Sequence, residues 1–235
     1  MPIVTISRGS YSKGKEIAEK LAKRLGYECI SRDVIIEASK EFNIPELKLI
    51  KALHDPPSIL ERFTYGKERY IAYIRYALLN HVKKDNVVYH GLAGHFFLQG
   101  IPHVVKVRII ANLEERVKIE MERENISADE AKKLIKKYDE ARKKWAKALY
   151  GIEPNDPKLY DVIFHLDTLK VEDIVDLLEQ TVKRECFQTT ELSQKIFENK
   201  YIEAKIVAAL VDLYPHITVC YENDKAQIVI KDLTR

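Results

Sequence analysis

Residues 3–25 run from a β-branched stretch, Ile3-Val4-Thr5-Ile6-Ser7, through a polar loop into an amphipathic helix over Ile17 to Leu25, which Gly26 stops. Strand, glycine-bearing loop and helix in immediate succession leave few folds open. They read as one β-α unit, with a cradle at the strand's C-terminal end where the helix N-terminus gathers unpaired amides. The loop is Arg8-Gly9-Ser10-Tyr11-Ser12-Lys13-Gly14-Lys15-Glu16, with Gly9, Gly14 and Lys15 in the frame G-x-x-x-x-G-K. The glycines let successive amides face phosphate oxygens, and Lys15 supplies a mobile charge for the outer phosphates. The plainer alternative is a strand-to-helix turn whose glycines serve only tight geometry. Where the frame continues with a hydroxyl for magnesium, this chain has Glu16.

The rest of the chain repeats the theme. Short apolar runs at 27–31, 87–89, 104–111 and 160–166 read as strands. Helical patterns separate them, at about 34–42, 65–83, 113–124, 128–149 and 171–184. Such alternation predicts a parallel sheet flanked by helices, and the almost unbroken apolar run from Val104 to Ala111 suits a central strand. Ser127 and Glu130 form a capping box that starts the long helix to Leu149. Beyond a linker near 187–192 the pattern changes to one helix, 193–214, and a hairpin, 217–231. The expected organisation is therefore α/β: a five-stranded parallel sheet over 1–186, with a small α+β appendage over 193–235.

The 235 residues suffice for one α/β domain and an appendage, and a hydrophobic share of 46% supplies a sizeable core. A net charge of +3 among 32% charged residues is too balanced to imply a nucleic-acid partner. Cys29, Cys186 and Cys220 are too far apart for a metal motif and odd in number for a disulfide framework. With no apolar run of signal or membrane length, the expected location is cytoplasmic, without a membrane span.

Four segments, TISRGSYSKGKEIAEKLAKRLGY, DNVVYHGLAGHFFL, VRIIANLEERVKIEMEREN and LYDVIFHLDTLKVEDIVDLL, together resemble the cytidylate kinase-like proteins, P-loop relatives of bacterial cytidylate kinase. The resemblance covers residues 1–183. It implies ATP-dependent transfer of the γ-phosphoryl group to a small acceptor, nominally a (deoxy)cytidine or other pyrimidine monophosphate, with magnesium. It also implies an acceptor region over 34–80 and a lid over 125–145. The tail faintly resembles a BON-type module, and its partner is open.

Phosphoryl transfer needs positive charge around the transferred group. The loop residues Arg8 to Glu16 would hold ATP, with Lys15 catalytic. Arg116 and Arg123, seven apart on one helix, and Lys136, Asp139 and Arg142 on the next resemble the family's lid pattern. Arg116, Arg123, Asp139 and Arg142 are therefore expected in catalysis, although a solvated helix face has the same spacing. Ser12, Glu16 and Asp33 are candidates for the magnesium shell. Asp33 suits an N-cap for helix 34–42 equally well. Arg32, Asp33, Arg69 and His90 are candidates for the acceptor. Where bacterial cytidylate kinase has Asp-Gly-Arg after the third strand, this chain has His90-Gly91-Leu92. That departure leaves a second reading open, a nucleotide-binding regulatory protein on a kinase fold; a kinase for another metabolite is a third.

Overall fold

A computed structural model of the chain describes residues 2–9, 12–31, 66–91 and 94–231, apart from the side chain of residue 145. The expected helix 34–42, the irregular stretch after it, and Ser10, Tyr11, Arg32 and Asp33 lie outside the described residues. The chain forms two compact units. Met1–Ser31 and Asp85–Gln188 make the first, and Arg32–Lys84 and Thr189–Arg235 the second.

The first unit is built on five parallel strands: β1 (Ile3–Arg8), β2 (Glu28–Ile30), β3 (Val87–His90), β4 (Val104–Ala111) and β5 (Val162–Leu166). Their order across the sheet is β2-β3-β1-β4-β5. The register places Ile6 beside His90 on one side and Val107 on the other. Strand β1 is therefore central, and the loop that follows it opens in the middle of the sheet's C-terminal edge. This is where ligands collect in open α/β sheets.

Helix α1 (Gly14–Leu25) packs on one face of this sheet. Its Ile17, Ala18 and Leu21 join Val4, Ile6, Val105 and Val107 in the core. Beside it lies the last helix of the unit, Val171–Val182, which adds Ile174, Val175 and Leu178. The outer surfaces of these two helices are tied by ion pairs: Lys20 with Glu172 (2.5 Å), Arg24 with Glu172 (3.2 Å), and Arg24 with Asp176. Helix α1 begins at Gly14, a turn earlier than the apolar periodicity suggests, because Gly14, Lys15 and Glu16 carry no apolar side chain to mark its first turn. Gly26 ends it at φ 70°, a backbone state that favours glycine.

After α1, the described helices in chain order are α2 (Gly66–Val82), α3 (Gly94–Phe97), α4 (Leu113–Glu124), α5 (Ala128–Tyr150), α6 (Val171–Val182, the helix beside α1) and α7 (Glu191–Leu210). The capping box at α5 is formed: Glu130 N donates to Ser127 Oγ, and Ser127 N donates to Glu130 Oε2.

In the second unit, α2 packs along α7. Tyr76 stacks on Tyr201 at 5.8 Å between ring centroids, and Tyr201 Oη donates to Asn80 Oδ1 at 3.1 Å. Tyr73 Oη donates to Asp212 Oδ1 at 2.7 Å. Strands β6 (Ile217–Glu222) and β7 (Lys225–Ile230) form an antiparallel hairpin whose turn residues, Asn223 and Asp224, both have positive φ. This is the turn whose twist matches the flanking strands. Glu203 of α7 accepts a hydrogen bond from Tyr221 N of β6 at 3.0 Å. The tail therefore shares its unit with α2, whereas the sequence reading treats it as an appendage by itself. Among the described residues no helix is long and apolar enough to cross a membrane.

Candidate active site

The loop after β1 is tied to β4 at both ends. Gly9 N donates to Ile109 O at 3.3 Å, and the fully buried Ser12 hydroxyl lies within hydrogen-bonding distance of Gly9 O (3.1 Å) and Ile109 O (3.3 Å). Ser12 thus spends its proton on the backbone and braces the loop. Lys13 sits in the left-handed region at φ 55°, ψ 12°, and Gly14 follows as the first helical residue. A left-handed residue followed by a right-handed one turns successive amides toward the same side, which makes an anion-binding concavity. The unpaired amides of the first turn of α1 add their partial positive charge there.

Two further cations reach this loop from α4 and α5. A Cβ placed on Gly9 would stand 3.9 Å from Arg116 Cζ, so the Arg116 guanidinium lies over that glycine. Arg116 Nη2 donates to Asp139 Oδ2 at 2.6 Å, and the arginine side chain is only 12% exposed. Arg142, three residues on from Asp139, donates from Nη1 to Arg8 O at 3.1 Å. Residues three apart share one helix face, which lets α5 make both of these contacts. Arg116 and Arg142 thus bring positive charge to the loop beside Arg8, with Asp139 paired to Arg116.

His90 ends β3 beside the loop. It is 6% exposed, and its Nδ1 has no hydrogen-bond partner among the described residues. Burial first, then the positive charges of Arg8 and Lys15, push its pKa down to about 4, although Glu19 acts the other way. The ring is therefore neutral at pH 7, with a polar atom left for a ligand.

Other expected residues lie elsewhere. Lys15 is 61% exposed and faces Glu19, one turn along α1, at 3.6 Å. Glu16 pairs with Lys20 on the outer surface of α1. Arg123 contacts Glu120 and Glu124, both at 2.9 Å, within its own stretch of chain. Arg69 pairs with Asp212 at 2.7 Å in the second unit. Among the described residues no group of three or more His, Cys, Asp or Glu side chains could hold a metal ion.

A network absent from the sequence reading backs the loop from the other face of the sheet. Arg108 Nη1 lies 3.3 Å from Ser7 Oγ and 3.2 Å from Tyr160 Oη, and Nη2 donates to Asn155 Oδ1 at 2.6 Å. His95 stacks on Tyr160 with ring centroids 4.9 Å apart, and neither of its ring nitrogens has a partner among the described residues. Burial, with Arg108 and Lys106 nearby, lowers its pKa to about 4. The signal for this network is Arg108 itself, one of two charges, with Lys106, in the otherwise apolar strand β4.

Sheet order, loop and converging arginines define a P-loop kinase fold. The cytidylate kinase-like family matches residues 3–168, and the chain belongs to that family. The chain is 28% identical to a cytidylate kinase of Ignicoccus hospitalis, over 78% of this chain and 98% of that protein. It is 32% identical to a cytidylate kinase of Thermoplasma acidophilum, over 38% of this chain and only 48% of that protein. Among solved structures, an uncharacterized protein from Eubacterium ventriosum is similar at a TM-score of 0.60, with 19% identity, over 77% of this chain and 97% of that one.

Proposed function

We propose that the chain is an ATP-dependent kinase that phosphorylates a small acceptor, nominally a (deoxy)cytidine or other pyrimidine monophosphate. The observation that carries the reading is the meeting of Arg116 and Arg142 with the loop at Gly9 and Arg8. Positive charge from two helices beside a phosphate cradle is what a charge-spreading phosphoryl transition state requires. When bound, ATP supplies the phosphoryl group. An oxygen of the acceptor phosphate attacks the γ-phosphorus, the bond to the bridging β,γ-oxygen breaks, and ADP leaves. That nucleophile is already ionised, so it needs no base, and a neutral His90 suffices as a hydrogen-bonding partner for the acceptor.

The loop amides and the arginines beside them suit a polyphosphate. The described residues assemble no donor set for magnesium: Ser12 is bound to backbone, Glu16 to Lys20, and Asp33 is outside the described residues. In this reading α5, most of which falls in the expected lid 125–145, closes the phosphate side, and the acceptor enters from the side of His90.

The second reading is a nucleotide-binding regulatory protein. The pairing of Glu16 with Lys20 favours it, since the position after Lys15 then contributes nothing to the phosphate site. A turnover screen separates the two. Purified protein is given ATP and magnesium with cytidine, deoxycytidine, uridine or adenosine monophosphate, and Arg116→Ala is the control. Arginine-dependent ADP formation with one acceptor supports the kinase. Thermal stabilisation by ATP without turnover supports the regulatory reading.

A further inference from the structure

A cation on the helix's first residue is well placed to serve a phosphate cradle. Side chains in a helix tilt back toward its N-terminus, so one on the first residue lies nearest the loop. In this chain the first residue of α1 is Gly14, which has no side chain. Lys15 stands one residue on, about 100° further round the helix axis. There it is largely exposed and faces Glu19.

The space that a side chain at position 14 would fill is taken by Arg8. A Cβ on Gly14 would lie 2.8 Å from Arg8 Cβ and 2.9 Å from Arg8 Cδ, closer than such atoms approach. The arginine stem therefore lies along the bare first residue of α1. Its own carbonyl receives Arg142, and the next residue, Gly9, lies under Arg116. His90, with its unpartnered Nδ1 beside the loop, feels the Arg8 charge more strongly than that of Lys15.

We propose that Arg8, laid across Gly14, is the cation that grips the phosphates in this loop, in the place that the G-K frame assigns to Lys15. The glycine at 14 then has a steric purpose, to make room for the arginine stem. A guanidinium also binds phosphate differently from an ammonium: it offers a planar fork of donors and holds orientation, where lysine acts as a point charge. Lys15 is left facing the β2 side, where it and Glu19 are the charges that act on Cys29.

The inference rests on the phosphate reading of the loop, and the test separates the two. ATP is titrated into the full chain by calorimetry, with and without magnesium. The variants are Arg8→Met, which keeps the stem and removes the charge, Arg8→Lys, Gly14→Ala and Lys15→Met; melting temperatures check the fold. Arg8→Met and Gly14→Ala are expected to weaken ATP at least tenfold more than Lys15→Met does. Arg8→Lys is expected to recover part of what Arg8→Met loses. A loss in Lys15→Met equal to or greater than that in Arg8→Met overturns the assignment while leaving the cradle intact. Failure of the wild-type chain to bind ATP overturns the cradle and the assignment together.

Discussion

Arg116 reaches from α4 to Asp139 on α5 at 2.6 Å while its guanidinium lies over Gly9 of the loop. One carboxylate thus fixes the reach of an arginine whose other face is directed at the phosphate cradle. The two helices and the loop are joined at this point, within a single unit.

If Asp139 acts by holding Arg116, the two residues are not independent. Arg116→Ala is expected to lower turnover at least tenfold, and Asp139→Ala less. The double variant is expected to match Arg116→Ala, not the product of the two losses. A double-mutant cycle on kcat/KM measures this; full additivity would show that Asp139 does not work through Arg116.

Arg123 is expected to matter for stability more than for chemistry. Its partner Glu120 is fully buried, and Glu120 Oε2 has no partner among the described residues. Removing Arg123 leaves a buried carboxylate without this cation. Because the arginine is half exposed, the cost is expected to be about 1–3 kcal/mol, below the range for a fully buried pair. Urea denaturation of Arg123→Ala, set beside its turnover, checks the order of the two effects. A tenfold fall in kcat with an unchanged midpoint would return Arg123 to the site.

Stability should fall in mild acid. His90 and His95 have folded pKa values near 4, well below the ordinary 6.5. Between these values the unfolded chain binds protons that the folded chain refuses, so the stability they contribute is full above about pH 6.5 and drains away toward pH 4. Each contributes at most roughly 3 kcal/mol across that window. Replacing His95 by Phe keeps a ring against Tyr160 and removes one titration. The urea midpoint of His95→Phe should therefore change less between pH 7 and pH 4.5 than that of the wild type. An equal change would show that His95 is not a source of the acid sensitivity.

In the second unit, Asp212 binds both Tyr73 Oη and Arg69 Nε at 2.7 Å. Tyr73→Phe is expected to cost about 1 kcal/mol, a typical net value for one hydrogen bond. Deleting residues 189–235 should be far worse, since it strips the α7 partner from the buried tyrosines of α2. Solubility and the thermal transition of the truncated chain test this; a fully cooperative, monomeric product would show that α2 does not need the tail.

Much of the sheet was readable from the chain because strand and helix periods differ and the signals were local. Strand β4, Val104–Ala111, and helix α4, Leu113–Glu124, have the expected bounds, and the Ser127–Glu130 box caps α5. Tertiary partners were less readable. Nothing in the tyrosine spacing of α2 says that its companion is α7, more than a hundred residues later. Spacing alone likewise cannot separate Arg116, which reaches the loop, from Arg123, which turns back onto Glu120. The G-K frame points to Lys15, and only the structure shows that Gly14 takes the first helical position, against the Arg8 stem.

Phosphoryl transfer at the loop is followed most directly by phosphorus NMR of the protein with ATP, magnesium and cytidine monophosphate, then with each of the other monophosphates. The account predicts that one acceptor gains a new diphosphate signal as ATP becomes ADP, at a rate that Arg116→Ala lowers at least tenfold. A spectrum in which every acceptor stays a monophosphate, or in which Arg116→Ala runs as fast as the wild type, would contradict it.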